Sequence, residues 1–203
     1  MKHKIIFLIV FLLFCGQAWG AVVKGTTCGF VTVAPTSDPE GFNFLMDSYA
    51  RGFKDVAPAG ATKVTEIGVY INAVSEETDI DLGIYSHNAG DDNPEALLGS
   101  ATIAKGTTVG WKTTAVDIDI TEGTTYWIAV QVDATASATN TDYTFDAGEK
   151  EDYKAEQTSL TNPWGVSGGT GSYLFAVYAV YTTGEPPEID KPRKNIMSGG
   201  IVQ

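Results

Sequence analysis

Apolar and polar side chains alternate in steps of two along much of this chain. In residues 79–85, Ile80, Leu82 and Ile84 point one way while Asp79, Asp81, Gly83 and Tyr85 point the other. That is the pattern of a half-buried strand. Residues 115–120 repeat it, with Val116, Ile118 and Ile120 against Ala115, Asp117 and Asp119. Residues 125–132 place Tyr126, Ile128, Val130 and Val132 on one face, and residues 64–74 place Ile67, Val69 and Ile71 together. Residues 173–181 are apolar on both faces, which predicts a central strand covered on both sides. Shorter strands are expected over 30–33, 98–103 and 143–146. Turn chemistry separates them: Asn88-Ala89-Gly90, Asp92-Asn93-Pro94, Thr121-Glu122-Gly123 and Ser167-Gly168-Gly169. A single short helix is expected over 44–53, where Phe44, Leu45, Ser48 and Arg51 fit a turn or two. Many short strands without intervening helices predict an all-β fold, a two-sheet antiparallel β-sandwich of jelly-roll type. An immunoglobulin-type sandwich is the alternative, although its paired cysteines are missing.

The two ends break the pattern. Residues 1–20 have the three parts of a secretory signal peptide: Lys2 and Lys4, the apolar run 5–14, and Ala18-Trp19-Gly20 before a cleavage point at Ala21. That run is too short to span a bilayer, which needs about 20 residues. Residues 21–183 then form the sandwich domain, and the expected location is extracytoplasmic: periplasm, cell surface or medium. Residues 184–203 begin with Gly184-Glu185-Pro186-Pro187 and read as an extended tail. Its segment Gly200-Ile201-Val202 is suited to self-assembly by adding a strand to a sheet edge.

Once the signal is removed, Cys28 is the one cysteine left, so no internal disulfide can form and the core alone must hold the fold. Cys28 reads as a small buried apolar residue. The net charge of −12 argues against nucleic acid and against anionic lipid, both of which require clustered Lys and Arg.

Within residues 61–181, the order Val64-Thr65-Glu66-Ile67-Gly68-Val69-Tyr70-Ile71, Leu82-Gly83-Ile84-Tyr85, Leu97-Leu98-Gly99-Ser100, Gly110-Trp111 and Gly123-Thr124-Thr125-Tyr126-Trp127-Ile128-Ala129-Val130 is distinctive. It resembles a loose group of secreted, phage-tail and cell-surface β-sandwich modules that look like carbohydrate-binding jelly rolls. The resemblance implies a binding or structural module and brings no functional residue with it.

Candidate chemistry is sparse. His87 is the lone histidine after the signal and lies in a turn, which leaves no base for a nucleophilic triad and too few ligands for a His/Cys zinc site. Residues 167–171 match no phosphate-binding loop. Asp79 with Asp81, and Asp117 with Asp119, sit side by side at strand spacing, roughly 6 to 7 Å apart. A carboxylate-pair glycoside hydrolase would use such a pair, but outward alternation produces the same spacing on any wet sheet. Asp91, Asp92, Asn93 and Glu95 share one loop and offer oxygen ligands for a structural calcium. Trp127 is out of phase with the aliphatic face of its strand, and Trp164 lies in the loop Asn162-Pro163-Trp164-Gly165. These two indoles are the candidate ligand-binding residues, since sugar C–H faces pack on aromatic rings. Trp111, at a strand entry, reads as a core plug. The functional expectation is a non-catalytic module that binds a glycan or a cell-surface protein. A structural subunit of a surface layer, filament or appendage is the rival class.

Overall fold

The computed structural model describes residues 21–72, 77–133 and 139–184. The described residues contain strands and no helix, arranged in three sheets. The first has the order β1 (Gly29–Val31), β13 (Val177–Thr183), β4 (Ala61–Ile71), β7 (Gly110–Asp119). The second has the order β11 (Gly169–Gly171), β10 (Glu151–Lys154), β3 (Tyr49–Val56), β8 (Thr125–Val132), β5 (Asp79–Asn88), β6 (Asn93–Ala104). The third has the order β12 (Tyr173–Phe175), β9 (Asn140–Phe145), β2 (Phe42–Leu45). Every pairing is antiparallel except β1 with β13.

The alternation seen in the sequence sets which face is buried. Ile67, Val69 and Ile71 of β4 and Val177 and Ala179 of β13 share one core with Ile80, Leu82 and Ile84 of β5 and Ile128, Val130 and Val132 of β8. Burying each such aliphatic side chain contributes roughly 1.5–3 kcal/mol. Cys28 belongs to this core with no exposed surface. Burial, with Asp55 nearby, pushes its thiol well above the ordinary range, so it has no thiolate character.

The opposite face of the six-stranded sheet is also covered. Tyr85, Trp127 and Ala129 form a second core with Leu160 and Trp164, which lie in the connection after β10. That connection is fastened along its length. Gln131 Nε2 donates to the Gln157 carbonyl (2.9 Å), Leu160 N to Asp81 Oδ2 (3.0 Å), the Tyr85 hydroxyl to the Thr161 carbonyl (2.7 Å) and Trp164 N to the Glu95 carbonyl (2.8 Å). The Asn162–Pro163 peptide within it is cis.

Two expectations are corrected. The short helix over 44–53 is instead the end of β2, a turn with Ser48 at φ 63°, and the start of β3. Phe42 and Phe44, and Tyr49, Arg51 and Phe53, reach a common side only when the chain is extended. The strand over 173–181 is two strands, β12 and β13. They part at Ala176, whose N–H donates to the Asp142 carbonyl and whose carbonyl accepts from Tyr70 N, both at 2.8 Å. The chain thereby passes from the three-stranded sheet to the four-stranded one. No helix of the described residues is long and apolar enough to cross a membrane. Residues 1–20, where a signal peptide is expected, and residues 185–203 of the expected tail lie outside the described residues.

Candidate functional site

The third sheet carries an aromatic face. Phe42 and Phe44 on β2, Tyr143 and Phe145 on β9, and Tyr173 and Phe175 on β12 are spaced by two within their strands, so each pair shares a side. Register then aligns the pairs: Phe42 lies opposite Tyr143, Tyr143 opposite Phe175, and Phe145 opposite Tyr173. Edge-on and tilted ring contacts join them, among them Phe44 to Phe175 and to Tyr173 with centroids 5.1 and 5.3 Å apart. Phe42 and Phe145, at the margins, are exposed.

Arg51 of β3 enters this face. Its guanidinium carbon lies 4.4 Å from the ring centres of both Phe44 and Tyr49, and 5.1 Å from that of Tyr153. Arginine stacks on aromatic faces through the ring quadrupole and keeps its charge when buried. Arg51 Nη1 donates to Glu151 Oε1 in a buried salt bridge. Exposure is 6% for Arg51 and nil for Glu151, so both are interior charges. Arg51 Nε and Glu151 Oε2 have no hydrogen-bond partner among the described residues.

The Gly169-Thr170-Gly171 strand makes room for this arrangement. Glu151 pairs with Gly171 and Tyr153 with Gly169. A Cβ on Gly171 would stand 2.5 Å from Glu151 Oε2 and 2.7 Å from the Tyr173 ring; one on Gly169 would stand 2.7 Å from the Tyr153 ring. These glycines serve close side-chain approach. What remains is a cavity of about 280 Å³ bounded by Phe44, Tyr49, Arg51, Glu151, Tyr153, Thr170 and Tyr173. A second hollow of about 350 Å³, around Gly60–Thr62 and Ile120–Glu122, is larger. Its one ionic group, Glu122, is already engaged by Gly60 N at 2.5 Å. The smaller cavity, with its buried charges and ring walls, is the better-equipped site.

The residues singled out from sequence lie elsewhere. Trp127 has no exposed surface and Trp164 has 1%. Trp127 Nε1 donates to His87 Nδ1 (3.1 Å) and Trp164 Nε1 to Asp152 Oδ1 (2.7 Å). Neither indole presents a ring to a ligand, because the connection after β10 covers the face on which Trp127 stands and buries its own Trp164 against it. Trp111 is only half-buried. It packs edge-on against Tyr70 and Tyr178, with its Nε1 donating to the Ser37 carbonyl.

The proposed calcium ligands are largely engaged by other groups of the chain. Asp92 accepts from Lys54 Nζ (2.8 Å) and Lys150 Nζ (3.0 Å) and lies 3.7 Å from His87 Nε2. Asp91 accepts from Asn88 Nδ2 (3.1 Å), Asn93 opens β6, and Glu95 offers its carbonyl to Trp164. The carboxylate that calcium would need most is neutralised by the chain's own lysines. Among the described residues no group of three or more His, Cys, Asp or Glu is placed to hold a metal ion. Of the paired carboxylates, Asp117 and Asp119 both face Lys63 in the open, and Asp81 accepts from Thr102 Oγ1 and Leu160 N.

Buried carboxyls give the molecule a pH signature. Burial pushes Asp142, Glu151 and Asp152 up from their ordinary values, outweighing Gly41 and Asn72 at Asp142, Arg51 at Glu151, and Ser167 and Trp164 at Asp152. Each holds its proton more tightly folded than unfolded, so stability falls as pH rises from the ordinary carboxylate range through the folded values. Asp92 works the other way. Lys54 and Lys150 hold it down against the burial that would raise it, and its contribution is lost only as pH falls below its ordinary 3.8. Thermal melts are therefore expected to give a higher melting temperature at about pH 5 than at about pH 7.5. A midpoint that drops steadily on acidification from neutral would contradict this assignment.

Compared with protein families, with characterised proteins and with solved structures, the chain matches none.

Proposed function

We propose that this chain is a non-catalytic, extracytoplasmic binding module that holds a glycan, free or on a cell-surface partner, in the Arg51 cavity. In this reading the four- and six-stranded sheets stack as a jelly-roll-like β-sandwich around their shared core, with the aromatic sheet closing one flank. The observation that carries the proposal is the cavity itself: half-buried rings on its walls and a buried arginine–carboxylate pair within it. Binding without turnover fits a site whose one carboxylate is already engaged by Arg51, since glycoside hydrolysis requires two carboxyls across the bond. Export rests on Lys2, Lys4, the apolar run and the small residues before Ala21.

Tyr153 is a half-buried ring on the cavity wall and lies outside the shared core, so Tyr153→Ala removes stacking surface from the site. On a glycan array the processed protein is expected to retain a defined set of glycans. The Y153A variant, shown by urea unfolding to be folded, should bind them at least about tenfold more weakly. A wild-type protein that retains no glycan, or a variant that binds equally well, would refute the reading.

A further inference from the structure

The cavity also carries information about the kind of sugar it suits. Its volume of about 280 Å³ lies at the small end of ligand pockets, which run from roughly 300 to 1,000 Å³. One ring fits that space; a chain of several does not.

The polar groups at the site have spare capacity of a particular kind. Arg51 presents five N–H donors in a fixed fork, and the bond from Nη1 to Glu151 is the one that the described residues accept. Tyr49, Tyr153 and Tyr173 line the same cavity as half-buried rings that carry hydroxyls. Such groups call for ligand oxygens, and a hydroxyl both accepts and donates. Charge narrows the class further. Arg51 and Glu151 cancel each other at close range, so a ligand anion on Arg51 would also meet the Glu151 carboxylate, in a chain of net charge −12. A ligand cation drawn to Glu151 would face the guanidinium in turn. Beside these charges the half-buried rings offer flat apolar surface for a C–H face.

We infer that the cavity takes a single uncharged, polyhydroxylated ring, such as the terminal neutral sugar of a glycan, with its hydroxyl oxygens on Arg51 and its C–H face on the tyrosines. This inference rests on the glycan-binding reading above and can fail separately from it. The test is saturation-transfer NMR of the processed protein with galactose, mannose and glucose, and in parallel with glucuronate and glucosamine. Transfer to the ring protons of at least one neutral sugar is expected, with none to either charged sugar. The Tyr153→Ala variant, shown by urea unfolding to be folded, should weaken it. Arg51→Lys, which keeps the charge but loses the planar fork, should weaken binding at least about tenfold. Preferential binding of glucuronate or glucosamine, weakened by Y153A, would overturn the inference and leave the glycan reading in place. Neutral-sugar binding that R51K leaves unchanged in a folded protein would also overturn it. Absence of binding to any of these sugars, with an empty glycan array, would remove both.

Discussion

Trp164→Ala is expected to lower stability by about 3–5 kcal/mol, the usual cost of deleting a buried indole. Trp164 is 1% exposed and packs edge-on against Tyr85 with centroids 5.0 Å apart. Its Nε1 also serves Asp152, whose Oδ2 already has no partner among the described residues. Truncation would leave that buried carboxyl with less support, an added penalty in the direction of unfolding. The damage should centre on the connection that covers Trp127, because Trp164 and Leu160 are the apolar side chains with which it seals the outer face. Urea unfolding monitored by fluorescence would give the magnitude. Hydrogen exchange should show residues 155–168 losing protection ahead of the shared core. A loss under about 1 kcal/mol would mean that the indole is a surface platform after all.

Trp127 and Trp164 show both the reach and the limit of periodicity. The phase of Trp127 was legible: it does stand on the face opposite Ile128, Val130 and Val132. Phase identifies a side of a sheet but not what lies on it. Whether that side meets water depends on the connection after β10, which folds back over a strand some thirty residues earlier in the chain and is fixed by Asp81, Tyr85, Glu95 and Gln131. None of those contacts has a local signature.

Arg51 was hidden for a related reason. Tyr153 is its cross-strand neighbour and Glu151 its ion-pair partner, about a hundred positions away. Register between distant strands is decided by the whole core rather than by a short window. A usable signal did exist. Aromatic residues two apart recur as Phe42 with Phe44, Tyr143 with Phe145 and Tyr173 with Phe175. Three such pairs are consistent with one aromatic sheet face and with extended chain where a helix over 44–53 was expected. The glycines of 167–171 were likewise visible but ambiguous, since turn chemistry and close side-chain approach select the same residue. Asp92 was misleading because its neighbours in sequence are acidic while its neighbours in space are Lys54 and Lys150.

Glu151→Ala should be about as costly as losing the indole, at about 3–5 kcal/mol, because it strands the Arg51 charge in the interior. The double variant Arg51→Met, Glu151→Leu should recover most of that loss and melt within a few degrees of the parent. A thioether stem packs well among Phe44, Tyr49 and Tyr153, and two desolvated charges disappear together. The recovery will be incomplete to the extent that the cation–π contacts contribute, about 0.5–2 kcal/mol. The single variants Arg51→Met and Glu151→Leu complete the cycle, and urea unfolding of all four proteins gives the coupling energy. The double variant should also lose glycan binding while folded, since it retains the rings and lacks the donors. Such a result would separate what the pair does for a ligand from what it does for the fold. If instead the double variant is as unstable as Glu151→Ala, the pair holds strands β3 and β10 together. Its burial would then no longer support a binding site there.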